Sequence, residues 1–545
     1  KRFEDMGIKA KTHFQPLEEI HLNSNYMYDI SSNGDMKYIY IFSALAFFII
    51  LIAIINYVNL YTARSEHRAK EVGIRKVSGS SRKNLIAQFL GESVLVSVFS
   101  LLIALGLTEL FIEPFGKLVE REISVIYWEN PVLILLLLFI AVIIGIISGS
   151  YPAFYTSRYQ PVKILKGKKD KGKNNILKIS LVVIQFTIAI FLITDLIILY
   201  KQVHYMKNKD LGFDQEQVVV LQGLSGKIRE KYPTIKKELE NQPGILSVTG
   251  SQSYPGIMRS GQNAYPEGAN PEEAIFINEN RVQADFIKTY GIKLLDGRPY
   301  NEDIASDSAA FIINQAAANA MGMKDPVGKF IYVWRIKGKI IGLMKDYNFK
   351  SLHTAIEPLV LTYYSSYIRH ISVRIAPGKI KEIINMLENK FSMYDQDYTF
   401  NYLFVDQQFD KLYKTEEKTN RLISIASLLA IVISMLGLFA LTSYTVLKRT
   451  KEIGIRKAIG STSESIVLML IKDLTKWVLL ANIIAWPLSY FFMNKWLQNF
   501  AFRIDIKLWM FVLSGLIALA IALATISYQA VRAARANPVD SLRYE

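Results

Sequence analysis

Seven stretches of the chain are long and apolar enough to read as membrane-crossing helices: approximately Tyr38 to Tyr61, Leu85 to Phe111, Pro131 to Tyr151, Ile179 to Tyr200, Leu422 to Leu447, Ile466 to Phe492 and Leu508 to Tyr528. A hydrocarbon core of roughly 30 Å takes about 20 apolar residues in helix to cross. Residues 205–419, between the fourth and fifth stretches, have soluble patterning instead. There Gln217 to Leu221 and Ile245 to Gly250 read as strands. Between them Ile228, Tyr232, Ile235 and Leu239 lie at helical spacing, with Pro233 predicting a kink or break. Lys339 to Met344, Pro358 to Tyr363 and Ile371 to Ile375 read as strands, Ile380, Ile383, Leu387 and Phe391 as a helix face, and Thr399 to Val405 as a closing strand. The order β-α-β, insert, β-β-β-α-β predicts an α+β extracytoplasmic domain with helices on one sheet face. The insert, about 252–337, is richer in Gly and Pro and reads as a second lobe.

A charged motif punctuates the apolar runs twice. Glu71-Val-Gly-Ile-Arg-Lys-Val-Ser-Gly-Ser-Ser81 returns as Glu452-Ile-Gly-Ile-Arg-Lys-Ala-Ile-Gly-Ser-Thr462, 381 residues on, with seven of eleven positions identical. Self-similarity at a fixed offset fixes architecture before any local reading does. The third and last membrane segments also end alike, in Ser157-Arg-Tyr-Gln-Pro-Val-Lys-Ile-Leu165 and Ala534-Arg-Ala-Asn-Pro-Val-Asp-Ser-Leu542, where a Pro stops each helix. The repeat unit is three helices with the motif after the first, at 37–165 and 420–545. A basic linker, 166–178, and a further helix, 179–204, lie between the first unit and the soluble domain. That helix predicts a counterpart ahead of residues 1–36, which read as the end of a first external domain. The expectation is an α-helical polytopic membrane protein, seven transmembrane helices here and eight in the full protein, with two units packed as an internal dimer.

Charge orients this arrangement. The short loops Arg64 to Lys83, Arg158 to Lys178 and Lys448 to Ser463, with the tail Val531 to Glu545, hold 23 basic and 6 acidic residues, an excess of +17 against +16 for the whole chain. The positive-inside rule then puts both motifs and the C-terminus in the cytoplasm and the chain's start and the large domain outside. Topology accounts for the basic pI near 9.4, so no nucleic-acid partner is expected. The chain is 51% hydrophobic and has no cysteine, which removes disulfides, thiolate metal sites and a cysteine nucleophile.

Candidate chemistry is sparse. Gly167-Lys-Lys-Asp-Lys-Gly-Lys-Asn174 fits a phosphate-loop pattern until Asn174 replaces the hydroxyl that would hold magnesium, so it reads as a solvated linker. The six histidines show no metal-ligand spacing, and a turn explains Asp346 beside His353 better than an acid-base pair does. No catalytic residue, cofactor or metal is expected. Glu92 and Asp473 occupy equivalent positions inside membrane segments. They read either as coupling carboxylates lining a path or as surface carboxylates paired with bases such as Lys472 and Lys476. Asn56 and Asn59 have Gly437 and Ala440 at the offset, so a shared mechanism does not need them and they read as helix-packing or inter-helix hydrogen-bonding residues. In the motif itself, Gly73, Gly79, Gly454 and Gly460 permit turns or close approach, Ile74 and Ile455 offer apolar contact, and Arg75, Lys76, Arg456 and Lys457 a basic rim. A docking knob for a cytoplasmic partner follows.

The motif residues, with Asn56-Tyr-Val-Asn-Leu-Tyr-Thr-Ala-Arg64 and Gln88-Phe-Leu-Gly-Glu-Ser93, resemble the FtsX-like/MacB-like permeases of ABC transporters. Pro326-Val-Gly-Lys329, Ile341-Gly-Leu-Met-Lys-Asp346 and Ser351-Leu-His353 resemble that family's periplasmic core domain, and the duplication resembles Bacteroidetes-type chains. The resemblance implies two FtsX-like repeats whose loops carry coupling helices. Glu71, Gly73, Ile74, Arg75, Lys76 and Gly79, and Glu452, Gly454, Ile455, Arg456, Lys457 and Gly460, would then dock two copies of a separate ATP-binding subunit. Efflux or envelope export is the implied role, with a periplasmic adaptor or outer-membrane protein as a further partner. The alternatives are an FtsX-type mechanotransmitter that regulates a periplasmic enzyme, and a membrane-tethered enzyme.

Overall fold

The computed structural model describes residue 16 and residues 36–65, 69–119, 122–123, 130–157, 174–258, 260–364 and 368–535. The chain divides into two compact units, one of apolar helices and one built from Lys201–Glu417 together with Trp496–Ile504.

In the helical unit, α1 (Met36–Ser65), α3 (Arg82–Val119) and α4 (Pro131–Thr156) form the first repeat, with the short α2 (Ala69–Val77) between α1 and α3. Helix α5 (Asn174–Asn208) leads to the second unit. After that unit, α12 (Lys414–Lys448), α14 (Ser463–Leu497) and α15 (Leu508–Arg535) form the second repeat, with the short α13 (Thr450–Ala458) in the same place as α2. Helices α1, α3, α4, α5, α12 and α15 are each long and apolar enough to cross a membrane. The seventh expected segment lies in the 35-residue α14, which carries Lys472, Lys476 and Asn482 along its length. Helix α5 is the most enclosed span, its Val182, Phe186, Ile190 and Ile193 packing with Ala481 and Ala485 of α14 and Ala518 and Ala522 of α15. Small residues at these contacts bring backbones close, which supplies attraction where lipid tails are as apolar as the helices.

The second unit rests on two β-structures. Strands β11 (Asn401–Phe404), β1 (Val218–Gln222), β10 (His370–Ile375) and β2 (Ile245–Ser251) form an antiparallel sheet in that order. Val219 and Leu221 face one core with α6 (Gly226–Glu230), α7 (Tyr232–Glu240) and α10 (Ile380–Tyr394), while Val218 and Val220 face another with Tyr254, Phe286, Tyr290 and Phe409. Burial on both sides explains why β1 is apolar at successive positions rather than alternating. The expected break at Pro233 separates α6 from α7, where the proline sits in the first turn and forfeits no helical bond.

The second lobe is a closed ring. Strands β4 (Ile275–Val282), β3 (Gly261–Pro266), β7 (Phe330–Val333), β8 (Ile336–Met344), β6 (Ala310–Asn314) and β9 (Leu359–Tyr363) pair in turn, and β9 returns to β4 in parallel, Asn278 opposite Leu359. Strand β5 (Leu294–Gly297) pairs with β8. Closure leaves no open edge for stray pairing. It also takes in β8 and β9, which continue past Lys337, the expected end of the insert. Ring and sheet meet through one residue pair, Ser251 opposite Val282.

An ion pair fastens the ring's 298–307 segment. Asp307, 1% exposed, accepts from Arg298 Nη1 and Nη2 at 2.6 Å each and from the Asn301 amide at 2.9 Å. These bonds, the Arg298 guanidinium's foremost, hold the Asp307 carboxyl below its ordinary range. A depressed folded value stabilises above the unfolded carboxylate pKa, and that contribution is lost as pH falls through the folded value. Asp307→Asn is expected to cost the domain about 2 kcal/mol near neutrality, discounted because Arg298 is partly exposed, and progressively less toward acid. Urea unfolding of the detergent-solubilised protein as a function of pH measures both.

Candidate docking surface

Both motif copies fold into nine-residue helices, α2 and α13, with acid in the first turn and base in the last, the polarity a helix dipole favours. Their construction matches residue for residue. Val72 is buried against Leu85, Phe89 and Ala153, and Ile453 against Ile466, Leu470 and Ala530. Three of these four pairs of equivalents stand at the 381-residue offset and the fourth, Ala153 with Ala530, at 377. Gly73 and Gly454 share the buried face. Ile74 and Ile455 point outward, 61% and 44% exposed, beside the ion pairs Arg75–Glu71 and Arg456–Glu452, each 2.8 Å. The knob expected from the sequence is therefore split by the helix into an anchored face and a presented one.

Each helix ends in the same cap. The Gly79 and Ser80 amides donate to the Lys76 and Arg75 carbonyls at 3.1 and 2.9 Å, and those of Gly460 and Ser461 to Lys457 and Arg456 at 3.1 and 2.9 Å. This double closure requires positive φ at the glycine, here +95° and +100°. Ser81 and Thr462 then accept the Asn84 and Ser465 amides at 3.3 Å and start α3 and α14. At the tip the copies differ: Val77 is exposed in the first, Ile459 in the second.

The first copy has a polar connection that the motif alone did not signal. Arg75 Nη1 donates to Gln88 Oε1 at 2.7 Å, Gln88 Nε2 to Glu92 Oε1 at 3.1 Å, and the Tyr61 hydroxyl to Glu92 Oε2 at 3.3 Å. At the offset, Gln88 and Tyr61 become Met469 and Thr442. Lys76 donates to the Ser157 carbonyl at 2.7 Å. Burial and the neighbouring Arg82 hold its ammonium below the ordinary lysine value. Glu92 is half-buried about three turns into α3, where it accepts from Gln88 and Tyr61. Asp473 lies at the matching place in α14, its side chain outside the described residues, as does the Gly167 linker.

The domain gathers the chain segments that lead to the helices. Gln202, fully buried, donates to the Phe502 carbonyl at 2.9 Å and accepts from the Ile504 amide at 3.0 Å. His353 Nδ1 lies 2.7 Å from Ser351 Oγ and Nε2 3.1 Å from Glu416, while its ring packs on Phe500 at 4.6 Å. Both ring nitrogens are engaged within packed aromatic surroundings, so His353 pins the start of α12 and the 496–504 loop to the domain. Asp346 accepts the Ala316 amide at 3.0 Å, which gives it a structural task. No group of three metal-ligating side chains occurs among the described residues.

The FtsX-like permease C-terminal family matches the chain twice, at residues 43–161 and 424–538, and the MacB-like periplasmic core domain matches residues 184–388. The permease matches start 381 residues apart and end 377 apart, the two offsets of the internal repeat. Among curated proteins, a macrolide export ATP-binding/permease protein MacB of Haemophilus ducreyi is 26% identical over 308 residues, covering 52% of this chain and 43% of that one. Its namesake from Vibrio parahaemolyticus is 22% identical over 338 residues, covering 58% and 49%. The chain thus spans less than half the length of these relatives. The periplasmic region of MacB from Actinobacillus actinomycetemcomitans aligns at 17% identity and a TM-score of 0.28, over 39% of this chain and 97% of that one.

An added Cβ at Gly79 or Gly460 meets nothing within 4 Å, so substitution there is strained by backbone conformation alone. Gly79→Ala and Gly460→Ala are each expected to cost about 1–2 kcal/mol of local helix stability. Amide exchange in segments 69–80 and 450–461 should speed accordingly, leaving the domain's exchange unchanged.

Proposed function

Given that the chain is an FtsX/MacB-type ABC permease, with two FtsX-like regions around a MacB-like periplasmic core domain, we propose that α2 and α13 are twin docking helices for a separate cytoplasmic ATP-binding subunit, two copies per chain. The observation that carries this is the presented face that the two share: an exposed isoleucine beside an Arg–Glu pair, on a helix anchored from behind and closed by a positive-φ glycine cap. Exposed ion pairs add little stability by themselves, so their matched geometry speaks for a partner. Hydrolysis in that subunit moves the helices, and the periplasmic domain turns the movement into work.

In this reading the protein sits in a bacterial inner membrane with the large domain in the periplasm and the C-terminus in the cytoplasm. The work is efflux or envelope export, the role in the relatives' printed names, with an adaptor or outer-membrane protein beyond it. A non-transporting mechanotransmitter is the second reading. The contacts of Gln202, His353 and Glu416 support it, because they tie the ends of α5 and α12 to the domain.

Charge reversal at both helices, Arg75→Glu with Arg456→Glu, is expected to weaken co-purification with the co-expressed ATP-binding subunit and its stimulated ATPase by at least tenfold, about 1.4 kcal/mol. Unchanged complex and stimulation would sink the docking assignment. For the periplasmic end, His353→Ala should leave complex formation intact while lowering export or enzyme activation. Measuring susceptibility and envelope phenotypes of a deletion strain complemented with the variant decides which readout moves.

A further inference from the structure

Within the helical unit, at the seam between the repeats, several buried amide atoms find no hydrogen-bond partner among the described residues. Asn56 of α1 and Gly437 of α12 are equivalent positions at the 381-residue offset, and they face one another. The point where a Cβ on residue 437 would lie is 3.1 Å from Asn56 Oδ1 and 2.8 Å from Gln185 Nε2 of α5, so two amides converge on the space this glycine leaves. Asn56 spends its Nδ2 on the Ile433 carbonyl at 3.3 Å. Its Oδ1, Gln185 Nε2, both polar atoms of Asn59 and Ser434 Oγ are buried without a hydrogen-bond partner among the described residues. Asn56, Asn59, Gln185 and Ser434 are 9%, 2%, 1% and 3% exposed. Asn59 and Ser434 stand one turn along their helices from Asn56 and Gly437, which extends the polar strip in both directions.

Hydrocarbon cannot satisfy such groups, and water can, provided there is room and two to four polar partners. We infer that the Asn56–Gln185–Gly437 seam is a hydrated pocket whose bound waters complete these hydrogen bonds and which opens toward the side bearing α2 and α13. Depth supports the direction. Asn56 is five residues from the α2-side end of its apolar span, Gly437 six from the α13-side end of its own, and Gln185 six from the matching end of α5. At 1.5 Å per residue all three lie about 8–9 Å inside that face. Unequal residues at equivalent positions make the pocket, since two asparagines would collide where an asparagine meets a glycine. Water there lets the repeats exchange bonds at the seam when they slide, without passing through an unpaired state. That the opening is cytoplasmic rests on the orientation proposed above.

The chain contains no cysteine, so an introduced thiol is its only one. Single variants Asn59→Cys and the near-isosteric Ser434→Cys are made in this cysteine-free chain and exposed to a membrane-impermeant anionic methanethiosulfonate. The reference is Ile52→Cys, 0% exposed and one turn outward from Asn56. A hydrated pocket gives labelling of Asn59→Cys at least ~10-fold faster than the reference in inside-out vesicles, because only a thiol in contact with water ionises readily. Adding Gly437→Ala to Asn59→Cys, which fills the space, should slow it. Rates no faster than the reference at both Asn59→Cys and Ser434→Cys, from either side, overturn the pocket. Fast labelling only in intact spheroplasts overturns the cytoplasmic opening and the orientation beneath it. The assay needs no ATP-binding subunit, so it is independent of the docking test.

Discussion

Hydrocarbon tolerates no unpaired backbone polar group, and this constraint sets the terms for everything else in the molecule. It compels unbroken helices, and several of them exceed what a bilayer takes. Helices α5 and α12 run 35 residues each, about 50 Å at 1.5 Å per residue against a core of roughly 30 Å. The surplus becomes part of the soluble unit: residues 201–208 at the end of α5 and 414–417 at the start of α12. Gln202 and Glu416 sit in those surplus turns and make the bonds that hold them.

The same constraint explains why the charged motif stands where it does. Glu71, Arg75, Glu452 and Arg456 cannot enter the hydrocarbon, so each motif closes into its own short helix, held to the bundle by one valine or isoleucine and two or three apolar contacts. Duplication then gives two such helices in one chain, alike in cap and anchor. Their wiring has diverged. Gln88 and Glu92 link the first helix to Tyr61, whereas Met469 occupies the Gln88 position in the second repeat. Exposed links of this kind are weak, so the divergence concerns how displacement is passed on more than how stably either helix is held.

Seven helical segments, the four strands of the antiparallel sheet and the break at Pro233 were legible, because apolar period and proline sterics act over a few residues. The two motif copies were legible for another reason: a repeat places the same short pattern twice, and Glu71 to Gly79 marks itself by recurring. The closed ring was not. Its decisive pairing, Asn278 of β4 with Leu359 of β9, joins residues about 80 positions apart, and no local pattern specifies which edge a strand will meet. His353 likewise looked like a turn residue until Glu416 and Phe500 arrived from distant stretches of chain.

Asn56 and Gly437 mark the boundary between the two kinds of information. By itself the sequence determined that they are equivalents, that each lies in a membrane helix, and that the net positive charge gathers at one set of loops, since all of this follows from spacing and composition. Reading them as mere non-equivalents in helix packing was as far as one strand of sequence could go. Only the tertiary structure decided that the two positions confront each other with Gln185 between them, because contact across a pseudo-two-fold depends on how whole helices pack. Packing, unlike periodicity, is a property of surfaces that no single segment contains.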